Sequence, residues 1–126
     1  MDDNIIYKKI NEEDYDFLYN ILKLRLNEPE TNINLKILPE YQQHVKYLQE
    51  FRGEWFIIIY YYKKIGYVYL TTDKEIGIYI LEEFRRNGFG RTAINFITKG
   101  DKLNNYIINI NPLNTISLEF FKKLNN

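Results

Sequence analysis

The stretch that decides the fold is EIGIYILEEFRRNGFGRTAINFITKG, Glu75 to Gly100. An apolar alternation from Glu75 to Leu81 breaks at Arg85-Arg86-Asn87-Gly88-Phe89-Gly90, and an apolar segment resumes at Arg91 with Thr92, Ala93, Ile94, Phe96 and Ile97. The first part alternates like a strand. The last part, from about Gly90 to Lys99, carries the spacing of a helix. The loop between them holds two of the chain's 6 glycines beside three arginines. A helix N-terminus that follows a strand and a glycine-bearing loop is an anion site, because the first backbone N–H groups of a helix have no intrahelical partner and the dipole is positive there. Gly88 and Gly90 leave backbone open to close approach, and Arg85, Arg86 and Arg91 supply charge at the rim. A phosphate or pyrophosphate is the expected ligand. The loop lacks the Gly-Lys-Ser/Thr of a P-loop and the third glycine of a dinucleotide fingerprint.

Working outward, the run EWFIIIYYY (Glu54 to Tyr62) is too aromatic and β-branched to prefer a helix. Lys63-Lys64 is expected to turn it back into IGYVYLTT (Ile65 to Thr72), and Asp73-Lys74 turns again into EIGIYIL. These three runs form an antiparallel meander. Upstream, NIIYKKI (Asn4 to Ile10) is a first strand, and Asn11 caps a helix whose inward positions are Tyr15, Leu18, Tyr19, Leu22 and Leu26. Pro39 is expected at the first position of a second helix that faces Tyr41, Val45 and Leu48 inward. Downstream come a strand at Asn105 to Ile110 and a helix at about Leu113 to Leu124. The roughly two dozen residues from Leu81 to Asn105 suit a crossover to a parallel strand. The expected fold is therefore a single α/β (α+β) domain over residues 1–126, in the order β-α-α-β-β-β-α-β-α, with strands 1 to 4 antiparallel and strands 4 and 5 parallel.

Composition narrows the function. Seventeen basic residues balance seventeen acidic ones, so no overall field draws the chain to nucleic acid or to an anionic membrane. The chain has no cysteine and a single histidine, His44, which excludes disulfides, thiolate metal sites and a multi-histidine site; no metal is expected. The longest apolar run, Trp55 to Tyr62, is far below the ~20 residues that span a bilayer. Nothing at Met1-Asp2-Asp3-Asn4 resembles a signal peptide, so a cytoplasmic protein without a membrane partner is expected.

Arg85-x-x-Gly88-x-Gly90 matches the Arg/Gln-x-x-Gly-x-Gly/Ala motif of the GNAT superfamily of acyl-CoA-dependent N-acyltransferases, and the sequence resembles that family at a second place. Asn111-Pro112-x-Asn114-x-x-Ser117-x-x-Phe120-Phe121 looks like its strand-to-helix segment, and the element order agrees from Asn4 to Leu124. The resemblance implies acetyl-CoA as co-substrate and direct attack by an amine. Its pyrophosphate would lie on Arg85, Arg86, Gly88, Phe89, Gly90 and Arg91, its pantetheine arm along Ile78, Tyr79 and Ile80, with Asn114 and Phe121 on the other side. A backbone N–H near Tyr79 would polarise the thioester carbonyl, and Glu75 stands where some members keep a general base. The tyrosine that commonly protonates the thiolate is Phe121 here, so either Tyr79 or a water takes its place or the thiolate leaves unassisted.

A looser resemblance, carried by Arg25 with Asn27, His44 with Tyr47-Leu48, and Ile65-Gly66, is to N-acetyltransferases of nucleotide-linked amino sugars of the pseudaminic-acid type. It places Arg25 and His44 at the acceptor. Rivals within the family act on protein N-terminal amines or on antibiotics, and a rival of another class is a non-catalytic CoA-binding or assembly module. The family usually continues through Gly-Phe into two further strands, whereas this sequence ends at Leu124-Asn125-Asn126; either a partner subunit in a homodimer supplies those strands, or the acceptor site is open, or the domain is shortened at its C-terminus.

Overall fold

The computed structural model describes residues 4–28 and 37–108, and its contacts group them into two compact units. The first unit is a five-stranded sheet with one helix. Strands β1 (Ile5–Lys9), β2 (Gly53–Tyr60), β3 (Lys63–Thr71), β4 (Glu75–Ile80) and β5 (Ile107–Ile108) lie in that spatial order. The first four are antiparallel neighbours, and β4 and β5 are parallel, with Glu75 opposite Ile107 and Ile76 opposite Ile108. The meander and the parallel pair are those read from the sequence.

The register assigns the two faces. Tyr7, Ile58 and Phe56 share one face of β1 and β2 with Val68, Ile76 and Ile78 further along the sheet. Helix α3 (Phe89–Thr98) packs on this face against β3 and β4. Phe89, Ala93, Ile94 and Ile97, at helical spacing, are all buried. Phe96 stacks on Tyr7 with centroids 4.0 Å apart and meets Phe56 edge-on at 4.9 Å. The opposite face carries Trp55, Ile57, Tyr67, Tyr69 and Tyr79. Trp55 is 7% exposed and packs on Tyr67 and Tyr69 at 5.2 and 4.6 Å.

The β2–β3 turn differs from the reading. Lys63 pairs with Tyr60 and Lys64 with Ile59, so both lysines are in the strand and the turn is Tyr61-Tyr62. Both tyrosines take the left-handed backbone, at φ 47° and 68°. A two-residue hairpin needs that conformation to match strand twist, and here tertiary pairing imposes it on residues whose side chains give no turn signal. Pairing skips Ile65 between Ile58 and Ile59, a bulge whose Ile65 carbonyl accepts from Leu81 N–H at 2.8 Å and so ties the end of β4 to β3.

The second described unit is helical. A turn at Glu12–Asp14, closed by a reciprocal box between Asn11 and Asp14, leads into α1 (Tyr15–Leu26). Leu18 and Ile21 are its buried positions, so the inward stripe is rotated from the one read through Leu22, because Asp14, Leu18 and Ile21 follow one another at 4 and 3 residue steps. Helix α2 (Tyr41–Gln49) is capped by Glu40 with Gln43, which puts Pro39 before the cap instead of at the first helical position. Tyr19 meets Tyr41 edge-on at 5.2 Å, and its hydroxyl donates to the Pro39 carbonyl at 2.8 Å. The helix expected at Leu113 to Leu124, with Asn114 and Phe121, lies outside the described residues.

Candidate active site at the end of strand β4

The loop after β4 joins a strand to a helix start through Gly88, as its sequence suggested, with one reassignment among the arginines. Leu81 leads through a short turn at Glu82–Phe84 to Arg85, in extended backbone, and then Arg86 at φ 66°. Gly88 stands as N-cap of α3 at φ 81°, a left-handed conformation that a side chain rarely takes. A Cβ added there would meet nothing within 4 Å, so the space in front of the helix start is open and the conformation alone calls for glycine. Helix α3 begins at Phe89, one residue ahead of the expected start, and no side chain caps it. Its first hydrogen bond runs from Thr92 N–H to Gly88 carbonyl at 3.1 Å. The N–H groups of Phe89, Gly90 and Arg91 thus have no acceptor within the helix.

Beside this helix start lies an open pocket of about 540 Å³, lined by Ile5, Tyr60 and Phe84 as well as Asn87, Gly88, Phe89, Arg91 and Thr92. Asn87 braces the loop by donating to the Phe84 and Arg85 carbonyls at 3.3 and 3.1 Å. Arg86 and Arg91 are exposed. Arg85 is turned inward: its Nε donates to the Ile80 carbonyl at 2.7 Å and its guanidinium lies 5.1 Å from the centre of the Tyr79 ring. That side chain fastens the loop to the last residue of β4, leaving the rim charge to Arg86 and Arg91.

Glu75 opens β4, half-buried, with its N–H donating to Thr71 Oγ1 at 3.0 Å. Tyr79 is 5% exposed, stacked on Tyr67 and covered by Arg85. Glu75 and Tyr79 project from the same face of β4, opposite α3, because positions two and four apart in a strand share a side. Ile78 and Ile80 alternate to the other face. His44, in the helical unit, is 7% exposed with its ring 5.4 Å from that of Tyr19, and burial lowers its pKa from 6.5. Its Nε2 is buried with no hydrogen-bond partner among the described residues. Arg25 is half-buried on α1, on the stripe of Leu18 and Ile21. The feature the sequence did not show is Tyr69, whose ring lies across Gly77 between Glu75 and Tyr79; a glycine in the middle of a strand was the available signal.

A strand, a glycine-capped loop and an uncapped helix N-terminus, joined to a meander and a parallel crossover, give a mixed α/β fold with an anion-compatible helix start at the end of β4. Residues 15–125 match the acetyltransferase (GNAT) family, and the chain belongs to it: by family it is an acetyl-CoA-dependent N-acetyltransferase. No curated protein matches the chain. Among solved structures it is similar to the ribosomal alpha-N-protein acetyltransferase RimL in complex with coenzyme A, at TM-score 0.78 and 11% identity over 98% of this chain and 80% of that one. Spermidine N-acetyltransferase SpeG from Vibrio cholerae gives TM-score 0.70 at 17% identity, covering 98% of this chain and 79% of that one. An aminoglycoside N-acetyltransferase in complex with CoA gives 0.67 at 16%, covering 95% and 86%. At these identities the likeness is one of fold. Among the described residues no helix is long and apolar enough to cross a membrane.

Proposed function

We propose that the chain transfers an acetyl group from acetyl-CoA to the primary amine of a nucleotide-linked amino sugar, by direct attack of the amine on the thioester. The observation that carries the cofactor half is Gly88: its left-handed backbone opens α3 after the loop that leaves β4, a Cβ there would meet nothing within 4 Å, and the helix leaves three N–H groups without acceptors. In this reading Phe89, Gly90 and Arg91 N–H groups bind the pyrophosphate, Arg86 and Arg91 neutralise it, and Arg85 fixes the loop to β4. Asn114 and Phe121 contact the arm from the other side. The backbone of Ile78, Tyr79 and Ile80 holds the arm as an added strand, and an N–H near Tyr79 stabilises the oxyanion that forms on attack. Glu75 takes the amine proton through water.

The sugar half rests on Arg25 and His44, residues that the resemblance puts at the acceptor. A buried neutral imidazole with an uncommitted nitrogen can accept a hydrogen bond from a sugar hydroxyl or amine, and a half-buried guanidinium suits a phosphate.

The test supplies acetyl-CoA with four amine classes: a nucleotide-linked amino sugar, a peptide with a free N-terminus, a polyamine and an aminoglycoside. Mass spectrometry then identifies which amine gains an acetyl group. Acetylation of the amino sugar is expected. Turnover confined to one of the other classes overturns the acceptor assignment, and CoA binding by calorimetry without turnover on any amine overturns the enzymatic reading in favour of a binding module.

A further inference from the structure

β4 presents Glu75, Gly77 and Tyr79 on one face, and Gly77 pairs across the sheet with Tyr69. A Cβ added at Gly77 would collide with Cζ, Cε2 and the hydroxyl of the Tyr69 ring. The ring therefore reaches from β3 over the backbone of β4, and its hydroxyl lies at Gly77, between the positions of Glu75 and Tyr79. Trp55, with its centroid 4.6 Å away, and Tyr67, nearly parallel to Tyr69 at 12° and 6.1 Å, hold it there. Tyr69 and Glu75 are half-exposed, whereas Tyr79 is buried beneath Arg85.

We infer that Tyr69 is the general acid of the acetyl transfer. The inference rests on the reading above, in which the thioester lies along Ile78 to Ile80 with its carbonyl at the Tyr79 N–H. Attack by the neutral amine forms the C–N bond. The C–S bond breaks with its electron pair on sulfur, and the Tyr69 phenol gives its proton to that sulfur, releasing the thiol. The phenolate recovers a proton from the nitrogen, relayed through water and Glu75. A phenol near pKa ~10 and an aliphatic thiol near ~8.5 are close enough for such a transfer. Glu75, the proposed base, stands two residues from Gly77, so acid and base lie side by side on one strand face. The other titratable or charged groups on this face among the described residues are Lys8, Lys64, Tyr67, Tyr79 and Arg85. The aromatic stack explains why this position holds a tyrosine ring, and Gly77 explains how the hydroxyl crosses the strand.

Tyr69→Phe keeps the ring and the stack and removes only the proton. It is expected to lower kcat on the order of 10²-fold, to remove the alkaline limb of the kcat profile, and to leave CoA affinity, KM for acetyl-CoA and Tm unchanged. Gly77→Ala, which keeps the hydroxyl and displaces the ring, is expected to lower kcat without adding to the loss in Tyr69→Phe. Wild-type turnover with an unaltered kcat and pH profile in Tyr69→Phe overturns the acid assignment alone. A raised KM or lowered Tm that accounts for the loss overturns it in favour of a packing role. A wild-type protein that binds CoA and acetylates nothing overturns the transferase reading and this inference with it.

Discussion

Two tyrosines on opposite faces of one sheet put the same hydroxyl to opposite uses. Tyr7 stacks on Phe96 under α3, and its hydroxyl is buried with no hydrogen-bond partner among the described residues. Tyr69 stacks on Trp55 and Tyr67 on the other face, and its hydroxyl is carried across Gly77 to stand between Glu75 and Tyr79. The α3 face is closed by aliphatic and phenylalanine side chains, so a hydroxyl there loses water and gains nothing. The other face is built of tyrosines and a tryptophan, which give a large contact area and a polar tip together. A sheet face meant for chemistry can in this way be packed without being chemically inert.

The largest expected effect breaks the closed face. Ile94, 1% exposed on α3, is expected to cost about 2–5 kcal/mol on Ile94→Ala, from lost burial and the cavity left behind; denaturant unfolding measures it, and a loss below that range means that α3 is not the cover of this face. Next is the binding end. Gly88→Glu puts a carboxylate before the helix start and a side chain at φ 81°, and CoA affinity is expected to fall by about 2.7 kcal/mol, on the order of 10²-fold. Calorimetry that finds the affinity unchanged removes the pyrophosphate from this loop.

Burial pushes the Tyr7 hydroxyl up from 10.0 to about 12. The folded protein therefore holds this proton more tightly than the unfolded chain does. The stability tied to it is fully present below pH 10 and is lost as pH rises towards 12, by up to about 2 kcal/mol. Tyr7→Phe is expected to flatten that alkaline loss and, by relieving a buried unpaired donor, to raise stability at neutral pH by about 1 kcal/mol. A destabilised Tyr7→Phe would erase the contrast between the two faces. The smallest effect lies in the helical unit. Burial lowers the pKa of His44 below 6.5, so the unfolded chain takes the proton first and stability falls as pH drops through 6.5. In His44→Gln that acid slope is expected to shrink in a pH series of unfolding curves, and an unchanged slope assigns it elsewhere.

What was legible in the sequence had a local cause. The alternation from Glu75 to Leu81, the helical spacing after Gly90 and the glycines between them fixed a strand, a loop and a helix, because period and backbone freedom act within a few residues. The glycine-capped helix start at Gly88 was readable for that reason. The β2–β3 turn was not, since no side chain marks Tyr61-Tyr62 as a turn and only strand pairing forces their backbone. Nor was the inward role of Arg85, whose partner Ile80 is five residues away around a bend.

By itself, then, the sequence determined the order of elements through β5, the glycine-capped loop between β4 and α3, and the family motif it carries. The tertiary structure alone decided that Tyr69 lies over Gly77, that Glu75 and Tyr79 stand on either side of it, and that Arg85 faces inward. The reason is register: which residues of two strands lie opposite each other depends on pairing and on bulges such as the one at Ile65, and a side chain can cross a neighbouring strand only where its partner there is a glycine.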